Sequence, residues 1–415
     1  MPYYALKKDG ISGTIIFSNL LRGNKMYDFS DRVKNLTGNA IREIFKYLAD
    51  PEMISFAGGL PATNMLPKEE IGKFMAECLE ENPTAFLQYG STEGYLPLRN
   101  SYLDYVKRCG IENQSIDNTL IISGGQQGID LMCKCFLNKG DAVLVQKPTY
   151  LAVLHILKTY EASVFGVEQG EDGLDLNDLE EQIKAHKPKF LYLVPNFLNP
   201  TGKTLTVETR KNALEICEKY GVLIVEDDPY RELRFEGTPL PSIKSFDKTG
   251  TVVYLSSMSK TIAPALRVGC AVGPEEVIRK MTIGKQAVDV HTNTLAQGVV
   301  DKFIRTGAID RQIERAKPVY KEKKDLFIEN LDRLMPSSFI HTNPEGGLFI
   351  WGEFTDGTSA KAKFREAIEN KVAFVSGNDF FFDGSGDHTI RLNFSNATKE
   401  QIEVGLHRLA KIFKK

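Results

Sequence analysis

Between about Asn118 and Leu255 the chain alternates short apolar runs with stretches of helical periodicity, which leaves few folds open. Leu120-Ile121-Ile122 precedes a glycine turn and helical spacing from Gln127 to Leu137. Ala142-Val143-Leu144-Val145 leads through Pro148-Thr149-Tyr150 into a second helix. Phe190-Leu191-Tyr192-Leu193-Val194 runs into Pro195, and Val222-Leu223-Ile224-Val225 runs into Glu226-Asp227-Asp228. Thr251-Val252-Val253-Tyr254-Leu255 reads as one more buried strand. Runs without polar interruption suit strands covered on both faces, so the pattern predicts βαβ units around a mostly parallel sheet. In open α/β sheets ligands bind beyond the strand ends, and the polar residues of this chain collect there.

From about Ala308 the pattern changes. A charged helix over Glu314 to Leu334, shorter strands and a last helix over Lys399 to Phe413 predict a second, smaller α+β domain. Two or three domains suit 415 residues, which exceed one compact core. Lys and Arg total 52 against 54 acids, a net charge of -2, which argues against nucleic-acid binding. The six cysteines and six histidines are scattered without metal-ligand spacing, so no metal is expected and the thiols are read as reduced. No apolar run is long enough for a membrane span. Lys7-Lys8 before Thr14-Ile15-Ile16-Phe17 echoes a signal peptide, but the apolar part is short and broken, so a cytoplasmic protein is expected, with residues 1–25 as a loose arm.

Four stretches at the strand ends carry chemistry. Ser123-Gly124-Gly125-Gln126-Gln127-Gly128 joins a strand to a helix, where converging N–H groups can hold an anion, although many such turns are only turns. Asn199-Pro200-Thr201-Gly202 is a tight turn in its own right. Asp227 and Asp228 close an apolar strand and must be solvated, capping a helix, or paired with a buried cation. Lys260 lies in Ser256-Ser257-Met258-Ser259-Lys260 after a buried strand, with Arg267 seven residues on. Desolvation there favours the neutral amine that captures a carbonyl, while a surface loop accounts for the same letters.

Taken in order, the phosphate-type turn, Tyr150, Asn199-Pro200-Thr201-Gly202, Asp227-Asp228-Pro229-Tyr230 and Ser257-Met258-Ser259-Lys260 with Arg267 resemble the fold-type-I, pyridoxal-phosphate-dependent aminotransferases of class I/II. The likeness runs from about Phe29 through Ala410 and is strongest to the branch of 2-aminoadipate and kynurenine/2-aminoadipate aminotransferases; the aminotransferase-like half of MocR-type regulators is similar too. The resemblance implies a large domain over residues 66–307 with a seven-stranded type of sheet and a small α+β domain over 308–415. Residues 26–65 would pack on the small domain and the active site.

The resemblance also implies roles. Lys260 would form the internal aldimine with pyridoxal 5'-phosphate and then carry the proton, and Asp227 would pair with the pyridine nitrogen. Tyr230 and Asn199 would hydrogen-bond the ring's phenolic oxygen, and Tyr150 would stack on the ring. Gly125, Gln126, Ser257, Ser259 and Arg267 would hold the phosphate. Tyr89 matches a tyrosine that relatives extend into the neighbouring subunit's site, implying a homodimer with shared active sites. Relatives usually read Gly-Ser-Gln-Gln where this chain has Gly124-Gly125-Gln126-Gln127, which removes one hydroxyl from the phosphate turn. Leu198 is likewise apolar where many relatives are polar.

For the substrate, Arg391 sits in a mainly apolar strand, Thr389 to Ser395, and needs an anion. The resemblance supplies the α-carboxylate of an amino acid or 2-oxo acid, while an internal ion pair is the plainer alternative. Gly59, in Ala57-Gly58-Gly59-Leu60-Pro61, would approach that carboxylate. Arg42 matches a side-chain-contacting position and would hold a second carboxylate, although Glu43 beside it also fits a helix-surface ion pair. The expected activity is amino transfer from a 2-aminoadipate, aromatic or branched-chain amino acid, with 2-oxoglutarate as acceptor. A β-lyase or a decarboxylase would use the same residues. A cofactor-binding regulatory domain is the remaining alternative, against which stands the lack of a basic recognition helix before Phe29.

Overall fold

The computed structural model describes residues 27–34, 36, 47, 50–170 and 173–414. The chain forms two units. Of the first, Met1–Thr37, the described part holds one helical turn at Asp31–Lys34. The expected arm over residues 1–25 lies outside the described residues. The second unit, Gly38–Lys415, holds both larger sheets and the helices packed on them.

The apolar runs form the strands of a seven-stranded sheet. In chain order, β1 (Ile54–Ser55) is followed by β2 (Thr119–Ile122), helix α1 (Gly125–Phe136), β3 (Ala142–Lys147), α2 (Leu151–Thr159) and β4 (Ser163–Glu168). Next come α3 (Leu176–His186), β5 (Phe190–Leu193), α4 (Val207–Tyr220), β6 (Leu223–Asp227), β7 (Val252–Ser257) and β8 (Gly269–Val272). The order across the sheet is β2-β8-β7-β6-β5-β3-β4. Only β8 runs against its neighbours, so the sheet is mostly parallel, as the sequence predicts.

Both faces are covered, which explains the unbroken apolar runs. Alternate strand residues point to opposite faces. Leu144, Leu191, Leu193, Ile224 and Val252 pack with Leu179 and Ile183 of α3 and Leu214 of α4. Val143, Val145, Phe190, Tyr192, Val225 and Val253 pack with Ile129 and Met132 of α1 and Leu157 of α2. The polar residue closing β6, Asp227, is on this second face, two positions after Val225.

A four-stranded antiparallel sheet follows the large one in sequence. Helix α5 (Glu275–Asp289), α6 (Thr294–Arg305) and α7 (Ala308–Leu334) lead into β9 (Phe339–His341) and β10 (Phe349–Phe354). After α8 (Ala360–Glu369) come β11 (Val372–Ala373), β12 (Val375–Ser376), β13 (Thr389–Asn393) and α9 (Lys399–Phe413). The strand order is β12-β13-β10-β9, while β11 pairs in parallel with β1. Helix α9 has the bounds the sequence predicts. Helix α7 begins six residues earlier than expected: Ala308, Ile309, Gln312 and Ile313 are buried and extend the apolar stripe through Pro318. Its N-cap is Gly307 at φ 66, which makes no side-chain cap and so leaves no signal in the letters.

Candidate active site

One cavity of ≈ 240 Å³ opens beyond the carboxyl ends of β3, β5, β6 and β7. Gly59, Gly125, Gln126, Tyr150, Asn199, Asp227, Tyr230, Ser257, Ser259, Lys260, Arg267 and Arg391 all line it. Twelve of the fourteen residues singled out from sequence are therefore gathered in one place. Tyr89 is not among them; its side chain is 81% exposed and its ring meets His291 edge-on at 6.0 Å. Arg42 lies outside the described residues.

Lys260 follows β7, and its Nζ donates to Gly59 O at 2.7 Å. Burial pushes its pKa down from 10.5 to about 8, with the cations Arg391 and Arg267 adding to the effect. Asp227 closes β6. Its Oδ2 accepts the Tyr192 hydroxyl at 2.7 Å, while Oδ1 is buried without a partner. Burial raises this carboxyl to about 7, opposed by the Tyr192 hydrogen bond. Tyr230 is buried, pushed above the usual phenol range by desolvation, and hydrogen-bonded to Asn199. Tyr150 caps α2 and is raised to about 12 by burial.

The turn before α1 is shaped by contacts that sequence reading missed. Ser123 N donates to Gln127 Oε1 at 2.8 Å, and Asp289 Oδ2 accepts from Ser123 Oγ at 3.0 Å and Gln127 Nε2 at 2.8 Å. Lys285 pairs with the same carboxylate, four residues earlier on α5. Arg267 donates from Nη2 to Ser123 O at 2.9 Å and from Nη1 to Ser259 Oγ at 3.2 Å. Gly125 and Gln126, at the start of α1, line the same cavity as Ser257, Ser259 and Arg267, and N–H groups at a helix start are available to an anion. A dianion fits this corner.

Gly124 is required here. It sits at φ 85, and an added Cβ would stand 2.3 Å from Arg267 Nη2. Gly124→Ala is expected to displace that guanidinium and destabilise the protein by roughly 1–3 kcal/mol. Thermal unfolding checks it, and an unchanged midpoint would show that the turn absorbs the methyl group without strain.

Arg391 comes from the middle of β13, opposite Trp351 of β10. It is 0% exposed, which no solvated cation could be. Its guanidinium lies between Phe349 and Phe380, 4.4 and 5.0 Å from their ring centroids. Nη1 donates to Asn199 Oδ1 at 2.9 Å and Nη2 to Ala57 O, while Nε has no partner. Its pKa falls from 12.5 to about 10 through burial. Among the described residues no carboxylate is hydrogen-bonded to it, and Asp379 acts on it only through its charge, so a close internal ion pair is not what holds it.

The orphaned polar atoms test whether pyridoxal phosphate suits this cavity. Asp227 Oδ1 is a buried acceptor lacking a donor, which a protonated ring nitrogen would supply. The serine–arginine corner suits a phosphate, Tyr150 supplies an aromatic wall, and Lys260 brings an amine of depressed pKa. The residues fit the group. Among the described residues there is no cluster of three or more metal-ligating side chains, and no helix is long and apolar enough to cross a membrane.

Residues 56–409 match the family model described as aminotransferase class I and II. The chain is 39% identical over 389 residues to a 2-aminoadipate transaminase of Thermus thermophilus, covering 93% of this chain and 96% of the relative. It is 37% identical over 392 residues to aromatic-amino-acid aminotransferase 1 of Thermococcus litoralis, covering 93% and 94%. Among solved structures, the kynurenine aminotransferase of Pyrococcus horikoshii in complex with PMP superposes with a TM-score of 0.90 at 37% identity, over 96% of this chain and 98% of that one.

Proposed function

This chain belongs to the class I and II aminotransferases, and on that premise we propose that it moves an amino group from a 2-aminoadipate, aromatic or branched-chain amino acid to 2-oxoglutarate. As a member of that family it is a transaminase of the PLP fold type I, working with pyridoxal 5'-phosphate. One observation carries the finer reading. Asp227 and Arg391, each with a buried atom that lacks a partner (Oδ1 and Nε), line the same cavity as Lys260. They are an acceptor for a ring N–H and a donor for a carboxylate.

When bound, the cofactor supplies an aldehyde for the amino group and a ring that takes up the electrons of the broken Cα–H bond. The chain supplies the rest. Lys260 Nζ would be the amine that holds the cofactor's aldehyde and, when free, the base for the proton on the substrate's α-carbon. Asp227 would keep a positive charge on the ring nitrogen by accepting a hydrogen bond from its proton. Tyr230 and Asn199 would hold the phenolic oxygen, Tyr150 the ring face, and Gly125, Gln126, Ser257, Ser259 and Arg267 the phosphate. Arg391 grips the α-carboxylate with Asn199 and Gly59 beside it, and buried aromatic walls exclude water.

The dicarboxylate acceptor is supported by the 2-aminoadipate transaminase among the relatives, since that named substrate carries two carboxylates. Arg42 is assigned to the second carboxylate from sequence alone. Leu87 and Tyr89, 73% and 81% exposed, make an apolar pair suited to cover by a second copy of the chain, and we assign Tyr89 to that copy's site. Residues 66–307 and 308–415 are assigned as the large and small domains.

The test is a panel of amino donors, each offered with 2-oxoglutarate, with glutamate formation and the cofactor's visible absorbance followed in single half-reactions. Glutamate formation from at least one donor class is expected, from protein sedimenting as two chains. Release of pyruvate or carbon dioxide without glutamate would overturn the assignment in favour of elimination or decarboxylation.

A further inference from the structure

We propose that Tyr192 is a positioning residue for Asp227, engaging one carboxylate oxygen so that the other alone is presented to the cofactor's ring nitrogen. The proposal rests on the function assigned above. In the parallel pair β5·β6, Tyr192 lies opposite Val225, so Tyr192, Val225 and Asp227 share the face covered by α1. A tyrosine is long enough to reach the diagonal neighbour two residues along the adjoining strand. Its hydroxyl donates to Asp227 Oδ2 at 2.7 Å, with the side chain wholly buried.

That is the one hydrogen bond the Asp227 carboxylate makes among the described residues. Oδ1 is left free and abuts the start of α1, where a Cβ on Gly125 would stand 3.3 Å away. A carboxylate with both oxygens unpartnered could rotate about its Cβ–Cγ bond. Pinned at Oδ2 it has one orientation, with the unpartnered oxygen beside Gly125, and Gly125, Tyr192 and Asp227 all line the cavity. The phenol is also a dependable donor, because burial and the neighbouring Asp227 hold its pKa well above the usual value. Burial, with the charge of Asp228 adding to it, drives the carboxyl toward its neutral form, and the tyrosine hydrogen bond opposes that drift. A neutral Asp227 would no longer hold a proton on the ring nitrogen. In the sequence Tyr192 is an ordinary residue of an apolar strand, and only the diagonal contact reveals it.

The experiment uses Tyr192→Phe in the full chain, which removes the hydroxyl and keeps the ring. In cofactor-free protein, carbon-13 NMR of labelled aspartate should show the Asp227 carboxyl titrating at least about one pH unit higher than in wild type, from loss of a hydrogen bond to a charged group. In loaded protein, kcat should fall about ten- to hundredfold with KM for the amino donor little changed. In an Asp227→Asn background the tyrosine substitution should add almost nothing to the loss of cofactor retention. An unchanged Asp227 titration in folded variant overturns the proposal, as does a loss confined to KM or one fully additive with Asp227→Asn. The titration needs no cofactor. If wild type fails to bind pyridoxal phosphate, the functional reading falls, and the carboxyl titration still decides whether Tyr192 governs Asp227.

Discussion

Lys260→Ala is expected to abolish amino transfer, lowering turnover by at least about 10⁴-fold, because one amine serves both as covalent anchor and as proton carrier. The loss should be chemical and not structural. Lys260 Nζ touches Gly59 O, but the segment around Gly59 is secured elsewhere. Phe56 O accepts from Asn393 N at 2.7 Å, Leu60 O from Ser395 Oγ at 2.7 Å, and Ala62 N donates to the Tyr320 hydroxyl at 3.0 Å. The variant should therefore melt near wild type and still bind the cofactor through the phosphate corner, without the absorbance of the covalent adduct. Substantial turnover in Lys260→Ala would sink the assignment.

The same lysine predicts a pH dependence whose sign follows from its burial. Burial, and then the cations Arg391 and Arg267, lower its pKa to about 8, so the amine is protonated below that pH and neutral above it. Only the neutral amine attacks an aldehyde. Capture of pyridoxal phosphate by cofactor-free protein should slow about tenfold for each pH unit below 8 and level off above it. A midpoint near the ordinary 10.5 would show that Lys260 is solvated in the free protein.

Much of this site could be read from the letters because a doubly covered parallel sheet imposes a simple grammar. Strand interiors are apolar on both faces, so the polar residues that follow each run mark the carboxyl edge, and Asp227, Asn199, Tyr150 and Lys260 all stand at that edge. What escaped reading are relations across the sheet. Tyr192 reaches Asp227 along a diagonal between two strands, and Asp289 ties down the phosphate turn from a helix more than 160 residues away, at Ser123 Oγ and Gln127 Nε2. Neither has a local signal, since each partner alone is an unremarkable residue of its element. The early start of α7 escaped for a different reason: its cap is a left-handed Gly307 with no capping side chain to mark it. Arg391 was legible as a cation in need of a partner. Its aromatic sandwich was not, because Phe349 and Phe380 come from a neighbouring strand and from the loop after β12.

That sandwich sets the expectation for Arg391→Ala, which should lower kcat/KM for amino acids by about 10²–10³-fold, mostly through KM, as befits removing one partner of a buried charge pair. Such a loss could also come from damage to the fold, because the guanidinium supports Asn199 Oδ1 and Ala57 O from within. Two comparisons separate the causes. Arg391→Lys keeps a charge but offers a point donor in place of a planar fork lying between two rings, so it should recover only part of the affinity. An amine substrate lacking the α-carboxylate has nothing for Arg391 to hold. Its kcat/KM should be nearly the same in wild type and Arg391→Ala, while that of the matching amino acid collapses. Equal losses for both substrates would make Arg391 a support of Asn199 and the Ala57 segment, and would leave its unpartnered Nε without a ligand to explain it.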